Sequence, residues 1–227
     1  MLKIGVILSG CGYMDGSEIH ETVCALLAIE KLGAQAVCLA PDKDQADVVD
    51  HLSGQAAPEK RGVLRESARL ARGAVRPLAQ AKAEEFDALL LPGGFGAAKN
   101  LCTFARDGAA CAADPDAARL LEAVHAAGKP IGAACIAPVL LARLFGQQHP
   151  ELTIGDDPAT ARALEAMGGR HKTAGASEVV VDARLRLATT PAYMKAGSVL
   201  EVARSLEALT AAVLELAGAR SSPPSRR

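Results

Sequence analysis

The sequence predicts an α/β protein, a mostly parallel central sheet covered by helices on both faces. Short β-branched or apolar runs alternate along the chain with amphipathic segments, the rhythm of βαβ units whose crossover helices pack back onto the sheet. The 227 residues, half of them apolar, suffice for one sizeable core and do not require two. A single domain over 1–218 is therefore expected.

The first strand is the apolar run at 3–8, followed by Gly10-Cys11-Gly12. A flexible turn through Asp15-Gly16-Ser17 leads into a helix over 17–31, which Gly33 stops. Residues 36–40 supply the second strand, ended by Pro41-Asp42. The stretch 43–82 is less regular and reads as an insertion over the core. It has helical spacing at 63–70 and an edge strand at 75–78, placed at the edge because Pro77 has no N–H for a ladder. Residues 86–91 make a buried strand that stops at Pro92-Gly93-Gly94-Phe95-Gly96, and a helix over 116–127 ends at Gly128-Lys129-Pro130. The short central strand 130–134 runs straight into Cys135 and a helix over 137–144. A small helix at 159–167, a hairpin pairing 178–182 with 185–189, and a long helix over 199–216 complete the core. The polar, proline-rich residues 219–227 are expected to form a disordered tail.

Composition narrows the partners. The net charge of -1 and the 22 % of charged residues leave no electrostatic footprint for nucleic acid or an anionic membrane. With 3 % aromatics and no Trp, the stacking platforms of single-strand binders are missing as well, so a small-molecule partner is expected. No apolar run approaches the roughly 20 residues that cross a bilayer. Residues 1–8 are too short for a secretory leader and lack its cleavage site, which points to a cytoplasmic protein. The cysteines at 11, 24, 38, 102, 111 and 135 form no C-x-x-C pair, and five have the small or apolar neighbours of reduced thiols. Neither a disulfide framework nor a metal site is expected.

Cys135 stands where a central strand turns sharply into a helix. The helix N-terminus, with its free N–H groups, faces such a side chain, and a site of this kind lowers a thiol's pKa. Gly132, Ala133 and Ala134 permit the crowding, and Pro138 suits the first helical turn. On position alone, a nucleophile and a packing residue are equally good readings. The glycines of 92–96, at the end of the neighbouring strand, let the backbone turn N–H groups into the crevice, where with that of Ile136 they can form an oxyanion hole. Glu21 shares a helix face with Cys24, Ala25 and Ala28, so packing against the sheet should raise its pKa and suit it to pass protons. Glu18, three residues after Asp15, is explained as a capping-box residue. His20 projects about 100° from Glu21, toward solvent or a subunit contact. His171, after the small helix, is the best placed histidine to complete a cysteine dyad.

Cys135, Glu21 and the two glycine turns resemble the class I glutamine amidotransferase-like superfamily, in its PfpI-type branch of glyoxalases and deglycases, and most of all the isoprenoid-biosynthesis-associated glyoxalases of the ElbB type. The resemblance spans almost the whole chain: the strings at 3–12, 15–21, 92–101, 135–138 and 189–194 carry it. It implies a flavodoxin-like three-layer sandwich, a nucleophile at Cys135, an acid and base at Glu21, and oxyanion or substrate contacts at Gly93, Gly94, Phe95 and Ile136, with Gly12 and His171 beside them. It also implies a homodimer and a reaction without cofactor. Ile136 departs from the many PfpI-type members that carry a histidine directly after the cysteine, so no Cys-His dyad follows.

The reaction implied is conversion of glyoxal or a related 2-oxoaldehyde to a 2-hydroxy acid, with protein deglycation by the same attack. Three other readings stand beside it. A glutaminase would use His149-Pro150-Glu151, but these follow Cys135 too closely to come from the late strand that carries that pair in amidotransferases. Dinucleotide binding would use Gly10, Gly12, Gly16 and Asp42, yet the G-x-G-x-x-x-G spacing is one residue too long. A thiol sensor or regulatory module of isoprenoid metabolism would use reversible oxidation of Cys135.

Overall fold

The structure, a computed structural model, describes residues 1–218, so the expected tail at 219–227 lies outside the described residues. The chain runs β1 (Lys3–Ile7), α1 (Ile19–Lys31), β2 (Gln35–Ala40), β3 (Val49–Asp50), β4 (Gln55–Ala56), α2 (Val63–Leu70), β5 (Val75–Pro77) and β6 (Ala88–Leu91). It continues through α3 (Phe95–Lys99), α4 (Phe104–Asp107), α5 (Pro115–Ala126), β7 (Ile131–Ala134), α6 (Pro138–Phe145) and β8 (Glu151–Leu152). Then follow α7 (Pro158–Ala166), β9 (Arg170–His171), β10 (Val180–Asp182), β11 (Leu187–Thr190) and α8 (Val199–Leu216).

Strands β1, β6 and β7 are apolar and buried almost throughout, which a sheet permits only where both faces are covered. The seven-stranded sheet has the order β10-β11-β7-β6-β1-β2-β5. Every pair in it is parallel except β10 with β11. Helix α1 packs along α8, which lies on β6, β7 and β11, while α5 also packs on β6 and β7. This is the flavodoxin-like α/β architecture that the sequence predicts. From β1 the chain moves outward to β2 and β5, then crosses back to β6 on the other side, so the order reverses between β1 and β6. In open α/β sheets, ligands bind at the carboxyl ends of the strands beside such a reversal.

Several boundaries differ from expectation. The first helix starts at Ile19 because Glu18 is itself the cap, its side chain accepting the Glu21 N–H at 2.6 Å. Asp15 caps nothing on this helix: its Oδ2 accepts the Val49 N–H at 2.8 Å and ties the turn after β1 to the segment above it. That segment carries the β3–β4 hairpin, which the irregular pattern at 43–62 does not reveal. The edge strand at Val75–Pro77 pairs with β2, as its proline requires. All six cysteines are free thiols.

Candidate active site

Three segments that end or follow adjacent strands build the site. At the end of β7, Cys135 takes φ +60°, a left-handed conformation rare for a residue with a Cβ, and its N–H donates to the Thr190 carbonyl at 3.0 Å. The turn lifts the side chain above the sheet, and α6 begins three residues on at Pro138. The backbone N–H groups of Gly94 and Ile136 lie near enough to the sulfur to favour its charged form. Only 7 % of Cys135 is exposed.

Glu21, in the first turn of α1, is fully buried. Its Oε2 accepts the Gly93 N–H at 2.7 Å and its Oε1 accepts the Tyr193 N–H at 3.1 Å. The carboxyl stands beside the Cys135 thiol: a Cβ on Gly93 would lie 2.7 Å from Glu21 Oε2 and 2.9 Å from Cys135 Sγ. Burial pushes the carboxyl up from 4.5 to about 7; the N–H groups of Tyr193 and Gly93 pull it down, and the Glu18 charge adds to the rise. The expected lowering of the thiol pKa is not found. Burial first, and the Glu21 charge second, push Cys135 well above its ordinary value, and the Gly94 and Ile136 N–H groups offset only part of this. Near pH 7 it is therefore the carboxyl that gives up its proton, while the thiol keeps its own.

The glycines are dictated by contact. A Cβ on Gly93 would lie 2.3 Å from Cys135 Cβ and 2.7 Å from Glu21 Oε2. Gly94 has φ +91°, and a Cβ there would strike the backbone of Gly16 and Glu18 at 2.4 Å. Without side chains, the 92–94 turn can press its N–H groups against the pair.

The structure thus brings together Cys135, Glu21, Gly93, Gly94 and Ile136, but it divides their work differently from expectation. The Gly93 N–H serves Glu21, and the N–H groups that favour the charged sulfur are those of Gly94 and Ile136. Phe95 is not a donor, since its N–H is bonded to the Tyr13 carbonyl at 2.7 Å, although its ring is 48 % exposed. Gly12 donates its N–H to the Ser17 carbonyl at 2.9 Å and abuts His51, so it shapes the turn after β1. His171 stands on β9 opposite Leu152, its pKa lowered by burial and its Nε2 buried without a partner. No hydrogen bond joins it to Cys135 or Glu21 among the described residues. The histidine that approaches the site is the exposed His20, whose Nδ1 is 2.8 Å from the Tyr193 hydroxyl.

His149 is exposed, with Nδ1 3.0 Å from the Gly168 carbonyl, and Glu151 faces Lys172 at 3.4 Å, so neither serves Cys135. Thr190 and Tyr193 are the contributors that residue chemistry misses. They lie in the resembling string at 189–194, but backbone groups leave no mark in a sequence. Two clefts, of about 280 and 560 Å³, lie elsewhere, around Asp47 and Arg143. Among the described residues, no group of three or more His, Cys, Asp or Glu is placed to hold a metal ion. Nor is any described helix long and apolar enough to cross a membrane.

No family model matches the chain. It is 42 % identical over 226 residues to a rat ES1 protein homolog, mitochondrial, covering 95 % of this chain and 84 % of the relative. The same figures relate it to the human glutamine amidotransferase-like class 1 domain-containing protein 3, mitochondrial. In structure it is similar to an isoprenoid biosynthesis protein with an amidotransferase-like domain from Ehrlichia chaffeensis. That match has a TM-score of 0.89 and 35 % identity, over 95 % of this chain and 99 % of the other. The mitochondrial names of the curated relatives overturn the cytoplasmic expectation. A mitochondrial address is written in an arginine-rich, acid-poor targeting segment and not in the composition or charge of a folded domain.

Proposed function

The chain belongs to the ES1 family of glutamine amidotransferase-like class 1 domain proteins, and on that premise we propose that it converts glyoxal or a related 2-oxoaldehyde to a 2-hydroxy acid, with Cys135 as nucleophile and Glu21 as acid and base. The observation that carries this is the fully buried Glu21 set beside Cys135 across Gly93, where an added Cβ would meet Glu21 Oε2 at 2.7 Å and Cys135 Sγ at 2.9 Å, with burial lifting the carboxyl to about 7. A base that titrates near neutral pH takes a proton and returns it with little cost in either direction.

The steps use only this chain's groups and water. As Cys135 Sγ bonds to the aldehyde carbon, its proton passes through Glu21 to the carbonyl oxygen, giving a hemithioacetal. The Gly94 and Ile136 N–H groups, which favour negative charge at the sulfur, would stabilise the oxyanion that forms beside it. Glu21 then removes the proton from the former aldehyde carbon and delivers it to the neighbouring carbon through an enediol, while the second oxygen gains a proton as the enediol forms and the first oxygen gives one up as the enediol becomes a thioester. One carbon is thereby oxidised and the other reduced, so no external oxidant or cofactor enters. Water cleaves the resulting thioester, releasing the 2-hydroxy acid and restoring the thiol. The small exposure of Cys135 favours a small substrate, and deglycation of exposed sugar adducts would begin with the same attack.

Glutamine hydrolysis finds less support, because it needs an acid for the departing ammonia and His149 and Glu151 are engaged elsewhere. The relatives' names support a mitochondrial location. The expected homodimer is supported by an exposed apolar stripe on α1, formed by Ile19, Val23 and Leu27. Purified protein given glyoxal, methylglyoxal or glutamine tests the reaction. It should release glycolate and lactate from the aldehydes and no ammonia; ammonia release without 2-hydroxy acid would reverse the assignment.

A further inference from the structure

The segment leaving β11 touches both members of the pair. The Thr190 carbonyl accepts the Cys135 N–H at 3.0 Å, and three residues on, the Tyr193 N–H donates to Glu21 Oε1 at 3.1 Å. Between them, the fully buried Ala192 takes φ +44°, a strained conformation for a residue with a Cβ. The single 3-10 turn at Ala192–Met194 is closed by the N–H groups of Met194 and Lys195, which leaves the Tyr193 N–H to the carboxylate. The phenol returns to the same helix, where its hydroxyl meets His20 Nδ1 at 2.8 Å. Tyr193 therefore grips α1 twice, by backbone at Glu21 and by side chain at the preceding residue.

We propose that Tyr193 is a positioning residue for the acid and base: its phenol, held by His20, keeps its N–H in register with Glu21 Oε1, and this contact favours the carboxylate form that takes the thiol proton. The assignment rests on the Cys135–Glu21 reading above and deepens it. The other titratable groups facing Glu21 are Glu18 and Cys24 from α1 and Cys135 from the β7–α6 turn. None of these donates a backbone N–H to it. Because the thiol stays protonated near pH 7, its attack depends on Glu21 taking the proton as the new bond forms; loosening the Tyr193 contact removes a donor from the carboxylate, so the protonated form gains and this assistance sets in only at higher pH.

The test is the rate of Cys135 alkylation by iodoacetamide as a function of pH, read by mass spectrometry on the intact chain's Cys135 peptide. It compares wild type with Tyr193→Phe, His20→Ala and the double variant. The rising limb near pH 7 should move up by about 0.5–1 pH unit in each single variant and no further in the double, because the two act as one link. At about pH 9 the rates should agree within about twofold. An unmoved limb, or an equal loss of rate at every pH, would overturn the proposal. His20→Ala alters an exposed side chain and keeps the test open if Tyr193→Phe does not fold. Alkylation needs no aldehyde, so a chain that shows the shift but does not turn over glyoxal sinks the proposed reaction alone. A wild-type profile with no limb near pH 7 would sink both.

Discussion

Glu21 has each of its oxygens committed to a backbone N–H, Gly93 on one side and Tyr193 on the other, with the Cys135 thiol as its third neighbour. Folding raises its pKa from 4.5 to about 7, so between these values the native chain holds a proton that the unfolded chain releases. Stability from this group is therefore greatest below about 4.5, falls as pH rises to about 7, and is level beyond. A shift of that size corresponds to about 3 kcal/mol. In Glu21→Gln the position no longer titrates, while its NH2 must face one of the two backbone N–H donors. The stability difference between wild type and Glu21→Gln, from urea unfolding, should move against wild type by about 3 kcal/mol between about pH 4.5 and 7.5. A pH-independent difference would show that the carboxyl does not titrate as described. Cys135 and Glu21 are legible in the sequence because each carries its own signal, a thiol after a strand and an acid on a small apolar helix face. Tyr193 and Thr190 are not legible, since what they supply is backbone. His171 misleads because nothing near it in sequence states where its loop returns, and Phe95 because a glycine-rich turn does not show which N–H is already bonded.

The element that holds Cys135 in place is β7, packed under α8. Gly132 is the closest point of that contact: a Cβ there would lie 2.6 Å from Val213 Cγ2 and 3.5 Å from Leu209 Cδ1. Gly132→Ala should lower stability by about 1–3 kcal/mol in urea unfolding through overpacking. Paired with Val213→Ala it should cost less than the two singles summed, because the new methyl enters the space the valine leaves. Strict additivity would mean that the helix does not sit on the strand in this way. Helices α2 and α8 are read from the sequence at their observed bounds, α8 because eighteen residues hold a consistent apolar spacing and α2 because its apolar positions recur over about two turns between Gly62 and Gly73. The first helix is read two residues early because Ser17 mimics a cap while Glu18 supplies it. The two-residue strands β3, β4, β8 and β9 are too short to show a period, so nothing in the pattern announces them.

At the scale of the molecule, the βα alternation predicts the fold class, but no local pattern predicts the strand order. That order places the ends of β6 and β7 side by side, with α1 delivering Glu21 from the next strand, β1, so three distant segments meet above the point where the sheet reverses direction. Family membership fits this arrangement, and the relatives' mitochondrial names correct a location that composition does not reveal. If the thiol in the β7–α6 turn does the chemistry, removing its sulfur must abolish turnover. The most direct test is the rate of glycolate formation from glyoxal by pure Cys135→Ser against wild type, at about pH 8. The expected loss is at least about 100-fold, with the fold intact by circular dichroism. A Cys135→Ser chain that makes glycolate at the wild-type rate would contradict this role of the thiol.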